Sequence, residues 1–395
     1  MVIKPRVRGF ICTTAHPTGC RNNVEESIQY VKSQSAIAGP KQALVVGCST
    51  GYGLASRIVA SFGCGADTIG VALDREPTER GPGMAGWYNT LSFDQAAHSA
   101  GLQSHSVNDD AFSHEVKDRV IELAHQANKP IDLIVYSLAS PVRVHPDTGE
   151  RFRSSIKPIG EPFTSRTLTP DIKTGGVLTD VELEPASEEE TDATIKVMGG
   201  EDWEIWVDRL STAGVLAPDF RTIAFTYLGN ELTQPIYRGG TLGKAKEDLD
   251  RAAKAITLKH QSSGAKADVA VLKAVVTQAS TAIPVVPLYF SILFSVMKEK
   301  GTHENCIEHI YRMFNEQLYS TDSMRLDEDG RIRMDNWELS DEVQTEVRKR
   351  WKTINQDNLS GLADVNGFTS DFLRLFGFGR NDVDYDADVD HIAGT

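Results

Sequence analysis

Short apolar runs alternate with helical periodicity through the first half of the chain. Residues 43–49 (ALVVGCS) are an unbroken apolar run ending beside glycines, the pattern of a strand buried on both faces. Residues 53–62 (GLASRIVASF) carry apolar side chains at helical spacing, and 68–74 (TIGVALD) predict a second strand. Asn108-Asp109-Asp110 closes the next apparent strand. Residues 110–127 predict a helix, with Ser113 as N-cap ahead of EVKDRVIELAHQA. A further strand spans 131–140 (IDLIVYSLAS), stopped by Pro141. Such alternation predicts an α/β fold, a doubly wound parallel sheet of Rossmann type with helices on both faces.

The stretch 141–200 is polar and rich in Pro, Thr, Glu and Gly, and reads as an excursion from the sheet. Ser187 and the acidic residues 188–190 open a helix within it, where carboxylates suit the N-terminal dipole. Core signals return at 222–228 (TIAFTYL) and 269–277 (VAVLKAVVT). MGGEDWEIW (198–206) predicts an amphipathic helix that packs its tryptophans. The last third is mostly helical and ends in an aromatic cluster (FLRLFGFG) and an acidic tail (DVDYDADVD). With no repeat, low-complexity tract or linker, residues 1–395 are expected to form one enlarged domain with N- and C-terminal extensions. Segments 141–220 and 278–330 are expected to supply the lid and the substrate-covering insertions.

Charge narrows the function classes. Forty-one basic and 55 acidic side chains give 41 − 55 = −14, against a nucleic-acid or anionic-membrane partner, both of which need a basic face. Five scattered cysteines without a CxxC fit a reduced, cytoplasmic compartment. The N-terminus lacks the apolar core of a signal peptide. The greasiest stretch, 282–297 (AIPVVPLYFSILFSVM), is short of the ~20 residues of a spanning helix. It reads as a buried helix opened by Pro284 and Pro287. Leu288, Phe290, Ile292 and Phe294 either line an acyl tunnel or pack in the core.

The first candidate chemistry lies at the turn after 43–49. Gly47, Gly51 and Gly53 form GxxxGxG, letting the backbone turn sharply and approach a pyrophosphate at a helix N-terminus. Ser49 and Thr50 add hydroxyl donors. Asp74 ends the second strand, where a carboxylate accepts from the adenosine ribose hydroxyls and repels a 2′-phosphate, favouring NADH over NADPH. Arg75 softens that preference. Asn108–Asp110 suits an adenine contact, and Ser137–Ser140 the nicotinamide side.

The second lies at Tyr227, Tyr237, Lys244 and Lys246. A reductase of this kind uses a phenol as acid and an ammonium to depress its pKa and hold the cofactor ribose. Gly239, Gly240 and Gly243 break any continuous helix, placing Tyr237 on a loop before a helix that starts near Thr241. Spacing leaves open which lysine reaches the site. No metal site is expected: in HENCIEH (303–309) Ile307 stands where a zinc helix needs histidine. His16 reads as structural, and the absence of GxSxG argues against an α/β-hydrolase.

Taken together, IKPRVRGFICTTAHPTGC, GCSTGYG, YSLASP, MGGEDW, FTYLGNELTQPIYRGGTLGKAK, LKAVVTQASTAIP, MKEKGTHE, LFGFG and VDYDADV resemble the FabV-type enoyl-ACP reductases and trans-2-enoyl-CoA reductases over nearly the whole chain. Tyr-x8-Lys, here Tyr237 through Lys246, marks that family. The resemblance implies a monomeric, short-chain-dehydrogenase-like Rossmann domain with a lid over the nicotinamide. It makes Tyr237 the proton donor and Lys246 the cofactor-binding lysine that supports it, with Tyr227 on the substrate carbonyl. It gives the nicotinamide to the backbone at Val275, Val276 and Thr277. The rest of the cofactor falls to Gly47, Cys48, Ser49, Thr50, Gly51 and Tyr52, then Leu73 and Asp74, Asp110 and Ala111, and Leu138 and Ala139. Some relatives carry Glu where Asp74 stands, so the charge is kept with a shorter reach.

The implied substrate is an enoyl thioester on acyl carrier protein or CoA, reduced in fatty acid elongation. A local excess of basic groups over 244–273 (Lys244, Lys246, Arg251, Lys254, Lys259, Lys266 and Lys273 against four acids) suggests a patch that steers the carrier. The rival readings are a carbonyl reductase of the short-chain type, which would use Tyr-x3-Lys, and a non-catalytic NAD(H) sensor, which has no need of Tyr237 and Lys246.

Overall fold

The computed structural model describes residues 1–8, 11–169, 176–278, 280–392 and 394. Among the described residues one sheet holds seven parallel strands. They are β1 (Gln42–Val46), β2 (Asp67–Ala72), β3 (Ser104–Asn108), β4 (Ile131–Tyr136), β5 (Leu216–Thr226), β6 (Lys266–Val271) and β7 (Ile332–Arg333). Their spatial order is β7-β6-β5-β4-β1-β2-β3. Winding reverses between β1 and β4, which leaves a crevice at their carboxyl ends. All five positions of β1 are buried, because helices cover both faces; hence the apolar run of Ala43–Val46 after Gln42.

Helices α1 (Pro17–Ser33), α2 (Gly51–Ile58) and α3 (Ala85–Ser99) pack on one face, joined later in the chain by α9 (Cys306–Met313). The other face carries α4 (His114–Ala127), α6 (Glu201–Thr212) and α7 (Thr241–His260). Ser113 caps α4 as predicted, accepting from the Val116 N–H at 3.2 Å. Ser187 and Glu190 form a capping box at the start of α5 (Glu188–Met198). Trp203 and Trp206 of α6 are fully buried against the sheet, as their spacing predicted.

A third apolar cluster closes the crevice. It joins α8 (Val286–Glu299), α10 (Asp341–Thr353), α12 (Val365–Arg374) and the hairpin of Phe163–Thr169 with Val177–Leu183, and it packs against Tyr227 and Tyr237. The expected insertions therefore narrow. Within 141–220, α6 and the start of β5 belong to the sheet and its helical layer, leaving that hairpin, a shorter one pairing Val142–Val144 with Arg151–Arg153, and α5 as the excursion; residues 170–175 lie outside the described residues. Within 278–330, α8 borders the crevice, whereas α9 packs on the far face against α2.

Other boundaries shift for local reasons. β5 begins six residues before Thr222, with a register break ahead of Arg221. The run 269–277 divides, because β6 ends at Val271 and the following residues leave the sheet for the crevice. Nothing in the pattern marks 17–33 or 85–99, since polar side chains dilute the buried stripe of Val24, Ile28 and Val31 on α1 and leave α3 little contrast. The aromatic run and acidic tail clasp the chain's start. The His16 N–H donates to the Phe376 carbonyl at 2.8 Å, the N-terminal ammonium to the Val389 carbonyl at 2.8 Å, and Lys4 pairs with Asp386 at 2.5 Å.

Candidate active site

A cavity of about 630 Å³ occupies the crevice where winding reverses. Its first wall is the turn after β1. Gly47 sits at φ +85°, and a Cβ there would strike the Ser137 carbonyl, while a Cβ at Gly53 would strike the Gly47 carbonyl. Only glycine lets β1, β4 and α2 meet this closely. α2 starts at Gly51 without a side-chain cap, so its first N–H groups open on the space that Thr50, Gly51 and Tyr52 line. Such a cradle, with an uncapped helix start and an acid at the end of the adjacent strand, fits a dinucleotide.

That acid is Asp74. Its carboxylate is buried, accepts from the Ser49 hydroxyl, and lies against the first turn of α3, where a Cβ at Gly86 would displace it. Burial pushes its pKa up, against the opposing pull of Ser49. Asn108 pins its backbone, accepting from the Asp74 N–H at 2.7 Å and donating to its carbonyl at 2.9 Å. Leu73, 66% exposed, stands beside it at the rim. Asp110, Ala111, Leu138 and Ala139 also line the cavity.

Two expected cofactor residues do not. The Cys48 side chain is buried behind the turn against Arg57, whose Nη1 lies 3.8 Å from its sulfur. Val276 belongs to the apolar cluster and faces a second cavity, whereas Val275 and Thr277 on either side line the main one. Ser280 holds that loop: its hydroxyl donates to the Val275 carbonyl and accepts from the Thr277 N–H, both at 2.9 Å.

Tyr237 lies on the turn before α7, as the glycines predicted. Its N–H donates to the Thr233 carbonyl at 3.0 Å, and its own carbonyl accepts from the Gly243 N–H at 2.8 Å. Burial raises its phenol to about 12. Among the described residues no group holds its hydroxyl. The choice between lysines is settled by direction: Lys244 points outward to Glu247 at 2.8 Å, while Lys246 enters the cavity and donates to the Phe225 carbonyl at 3.3 Å. Burial lowers the Lys246 ammonium to about 8, opposed by the Asp250 carboxylate.

Tyr227 departs from expectation. Its ring meets that of Tyr237 edge to face at 5.0 Å, and both line the cavity. Its hydroxyl, however, donates to Glu338 Oε1 at 2.9 Å rather than standing free for a substrate carbonyl. Glu338 is fully buried and has no sequence signal; only the fold brings it from beyond β7 to this place. Ile156 and Met198 likewise reach the cavity from the excursion, and Leu242 from α7.

On α8, Phe290 lines the cavity with Val286, but Leu288, Ile292 and Phe294 are buried in the apolar cluster. Residues two apart on a helix point to different sides, so alternate positions cannot share one tunnel wall. The basic stretch 244–273 does not form one patch either. Lys244, Arg251 and Lys259 pair with Glu247, Glu204 and Asp208, Lys246 is in the cavity, and Lys273 is buried. In HENCIEH, Glu304 is taken up by His309 at 2.9 Å and by Arg312 at 2.7 and 2.8 Å.

Fold and site define a Rossmann-type α/β protein with a phenol and an ammonium at the mouth of a glycine turn. The chain belongs to the trans-2-enoyl-CoA reductase family: the model described as the trans-2-enoyl-CoA reductase catalytic region matches residues 81–319, and its NAD(P)H binding domain matches 2–79. An enoyl-[acyl-carrier-protein] reductase [NADH] of Edwardsiella ictaluri is 56% identical over 390 residues, covering 98% of this chain and 97% of that protein. One from Shewanella sp. (strain W3-18-1) is 53% identical over 392 residues, with coverage of 98% and 97%. Among solved structures, the Treponema denticola trans-2-enoyl-CoA reductase in complex with NAD superposes with TM-score 0.94 at 47% identity, covering 98% of each chain. The Clostridium acetobutulicum enzyme in complex with NADH gives 0.95 at 42%, covering 99% of this chain and 98% of that one.

A further model, described as an enoyl reductase FAD binding domain, matches residues 326–389. Those residues do not fit a flavin dinucleotide. They hold no strand-to-helix glycine turn, and the cavity they border through Asp371, Arg374 and Leu375 measures about 330 Å³, against about 630 Å³ for the main one.

Proposed function

We propose that this chain reduces the trans-2 double bond of enoyl thioesters to saturated acyl thioesters with NADH, a step of fatty acid elongation. The observation that carries this reading is the Tyr237 phenol, without a partner among the described residues, sharing one cavity with Lys246, the glycine turn and Asp74. NADH, held by the glycine turn, Asp74 and Lys246, would supply the hydride for the β-carbon. The residues of the chain do the rest. Asp74 receives the adenosine ribose hydroxyls and repels a 2′-phosphate, which sets NADH above NADPH. The amides at the start of α2 receive the pyrophosphate, and the backbone of Val275 and Thr277 faces the nicotinamide.

As negative charge grows on the thioester oxygen, Tyr237 donates to it and supplies the proton. A phenol near 12 stays protonated at neutral pH, so the donor is always loaded. Lys246 holds the cofactor ribose and lends positive charge to that phenol. The excursion and α8 act as the lid that keeps water out.

The carrier is acyl carrier protein in this reading, as in the names of the relatives at 53–56% identity; CoA is the second reading, from the solved neighbours. We further propose a cytoplasmic monomer. All five cysteines are free, and among the described residues no helix is long and apolar enough to cross a membrane. The test is loss of NADH absorbance with crotonyl-CoA, with longer enoyl thioesters and with the carrier-bound form, repeated with NADPH. Consumption with enoyl thioesters and none with ketones is expected; the reverse preference would overturn the assignment.

A further inference from the structure

Behind the two tyrosines lies a carboxylate that the reaction does not touch. Glu338 follows β7 and is fully buried. Its Oε1 accepts from the Tyr227 hydroxyl and from the Tyr289 hydroxyl of α8, each at 2.9 Å. Its Oε2 accepts from the Ala274 N–H at 2.6 Å. Three donors, from the end of β5, the loop after β6 and α8, thus converge on one anion. Gln344 of α10 donates to the Glu338 carbonyl at 2.7 Å and to the Tyr289 hydroxyl at 3.3 Å, and accepts from Asn230 at 2.6 Å. Asn230 in turn starts the turn that carries Tyr237, its carbonyl accepting from the N–H groups of Thr233 and Gln234.

A buried carboxylate whose two oxygens both accept from fixed donors is costly to build and rigid once built. A purely apolar filling would serve packing as well. What the carboxylate adds is register. On one side it tethers Tyr227, against whose ring Tyr237 packs at 5.0 Å. On the other it anchors Ala274, immediately before the Val275–Thr277 backbone that lines the cavity.

We propose that Glu338 is a positioning residue for this reaction: by binding Tyr227 and Ala274 at once, it sets the distance between the Tyr237 phenol and the nicotinamide-facing loop. It also keeps the Tyr227 proton out of the chemistry, as the Lys273 carbonyl does for Tyr52 and Asp202 for Tyr136, leaving Tyr237 the one cavity phenol without a partner among the described residues. The inference rests on the reading of the site as an NADH-dependent enoyl reductase.

The experiment is a double-mutant cycle on the full chain, with NADH and crotonyl-CoA, over wild type, Glu338→Gln, Tyr227→Phe and the double variant. Glu338→Gln keeps size and removes the charge. A misplacement of the donor by an ångström or less costs about 10- to 100-fold in kcat, with KM for crotonyl-CoA changed by less than about threefold. If Glu338 acts through Tyr227, the double variant falls to within about threefold of Glu338→Gln alone. Effects that multiply independently would overturn the proposal, as would near-normal turnover by Glu338→Gln.

Should Glu338→Gln not fold, Tyr289→Phe keeps the carboxylate and removes one tether. In a cycle with Tyr227→Phe it is expected to lower kcat with the same shortfall from independence. Wild-type turnover separates the two claims. If the wild type consumed NADH with no enoyl thioester, the functional reading would fail. Glu338 would then be judged by NADH titration: about fivefold weaker binding in Glu338→Gln, the loss of one anchoring hydrogen bond, is expected, and unchanged binding would refute it.

Discussion

Tyr227 and Tyr237 carry the same hydroxyl in two different settings. One is spent on a buried carboxylate, and the other has no hydrogen-bond partner among the described residues. Tyr237→Phe is therefore expected to lower kcat by about 10²–10³, the cost of losing a donor to a developing oxyanion, with an unchanged melting temperature. Tyr227→Phe should cost only about tenfold, because it loosens a wall rather than removing the acid. Stopped assays of NADH consumption on the two variants decide this, and equal losses would contradict it. Lys246 brings a pH dependence. Its ammonium is lowered to about 8, so it is charged below that pH and neutral above it. kcat/KM for NADH, which reports the free enzyme, should fall about tenfold per pH unit above 8. In Lys246→Arg the charge persists, so the alkaline limb should vanish even as the rate drops. At this scale the residue types were legible, and their directions were not. Lys244 and Lys246 look alike in the sequence, and only the packing of α7 turns one outward and the other in.

Local rules served the elements well wherever contrast was strong. The β1 run, the glycine turn, the Ser113 cap and the start of α7 follow from propensity and spacing within a few residues. Helices α1 and α3 escaped notice because their buried stripes are narrow, and 269–277 looked continuous because a buried loop and a buried strand share an apolar composition. α8 offers a test at this scale. Phe290 lines the cavity while Ile292 faces the cluster. Phe290→Ala should raise the relative rate with longer enoyl chains. Ile292→Ala should leave that preference alone and lower stability by about 2–5 kcal/mol, the usual cost of truncating a buried aliphatic side chain. Chain-length profiles and denaturant midpoints on both variants check the pair. A change of preference in Ile292→Ala would show that the tunnel wall runs elsewhere.

Across the whole molecule, the tail reaches back to one edge of the cavity wall. The His391 carbonyl accepts from the Tyr88 hydroxyl at 2.8 Å, and that hydroxyl accepts from the Gly83 N–H at 2.9 Å, next to Met84 on the cavity. Removing residues 380–395 also takes away Arg380 and with it the ion pair to Glu26 at 2.7 Å. The truncated chain is expected to melt at least about 4 °C lower and to bind NADH more weakly. Calorimetry and a fluorescence titration measure both, and unchanged NADH affinity would separate the tail from the site. What the sequence alone determined is what depends on neighbours along the chain: strand and helix periodicity, the glycine turn, the acid that follows β2, and the tyrosine–lysine spacing. The tertiary structure decided what depends on neighbours in space. It selected Lys246, turned Tyr227 to Glu338, sent Cys48 and Val276 away from the main cavity, and divided the basic stretch among ion pairs, the cavity and the core. Side-chain direction and partner are set by the crossing of strands and helices far apart in sequence, and no local pattern encodes that geometry.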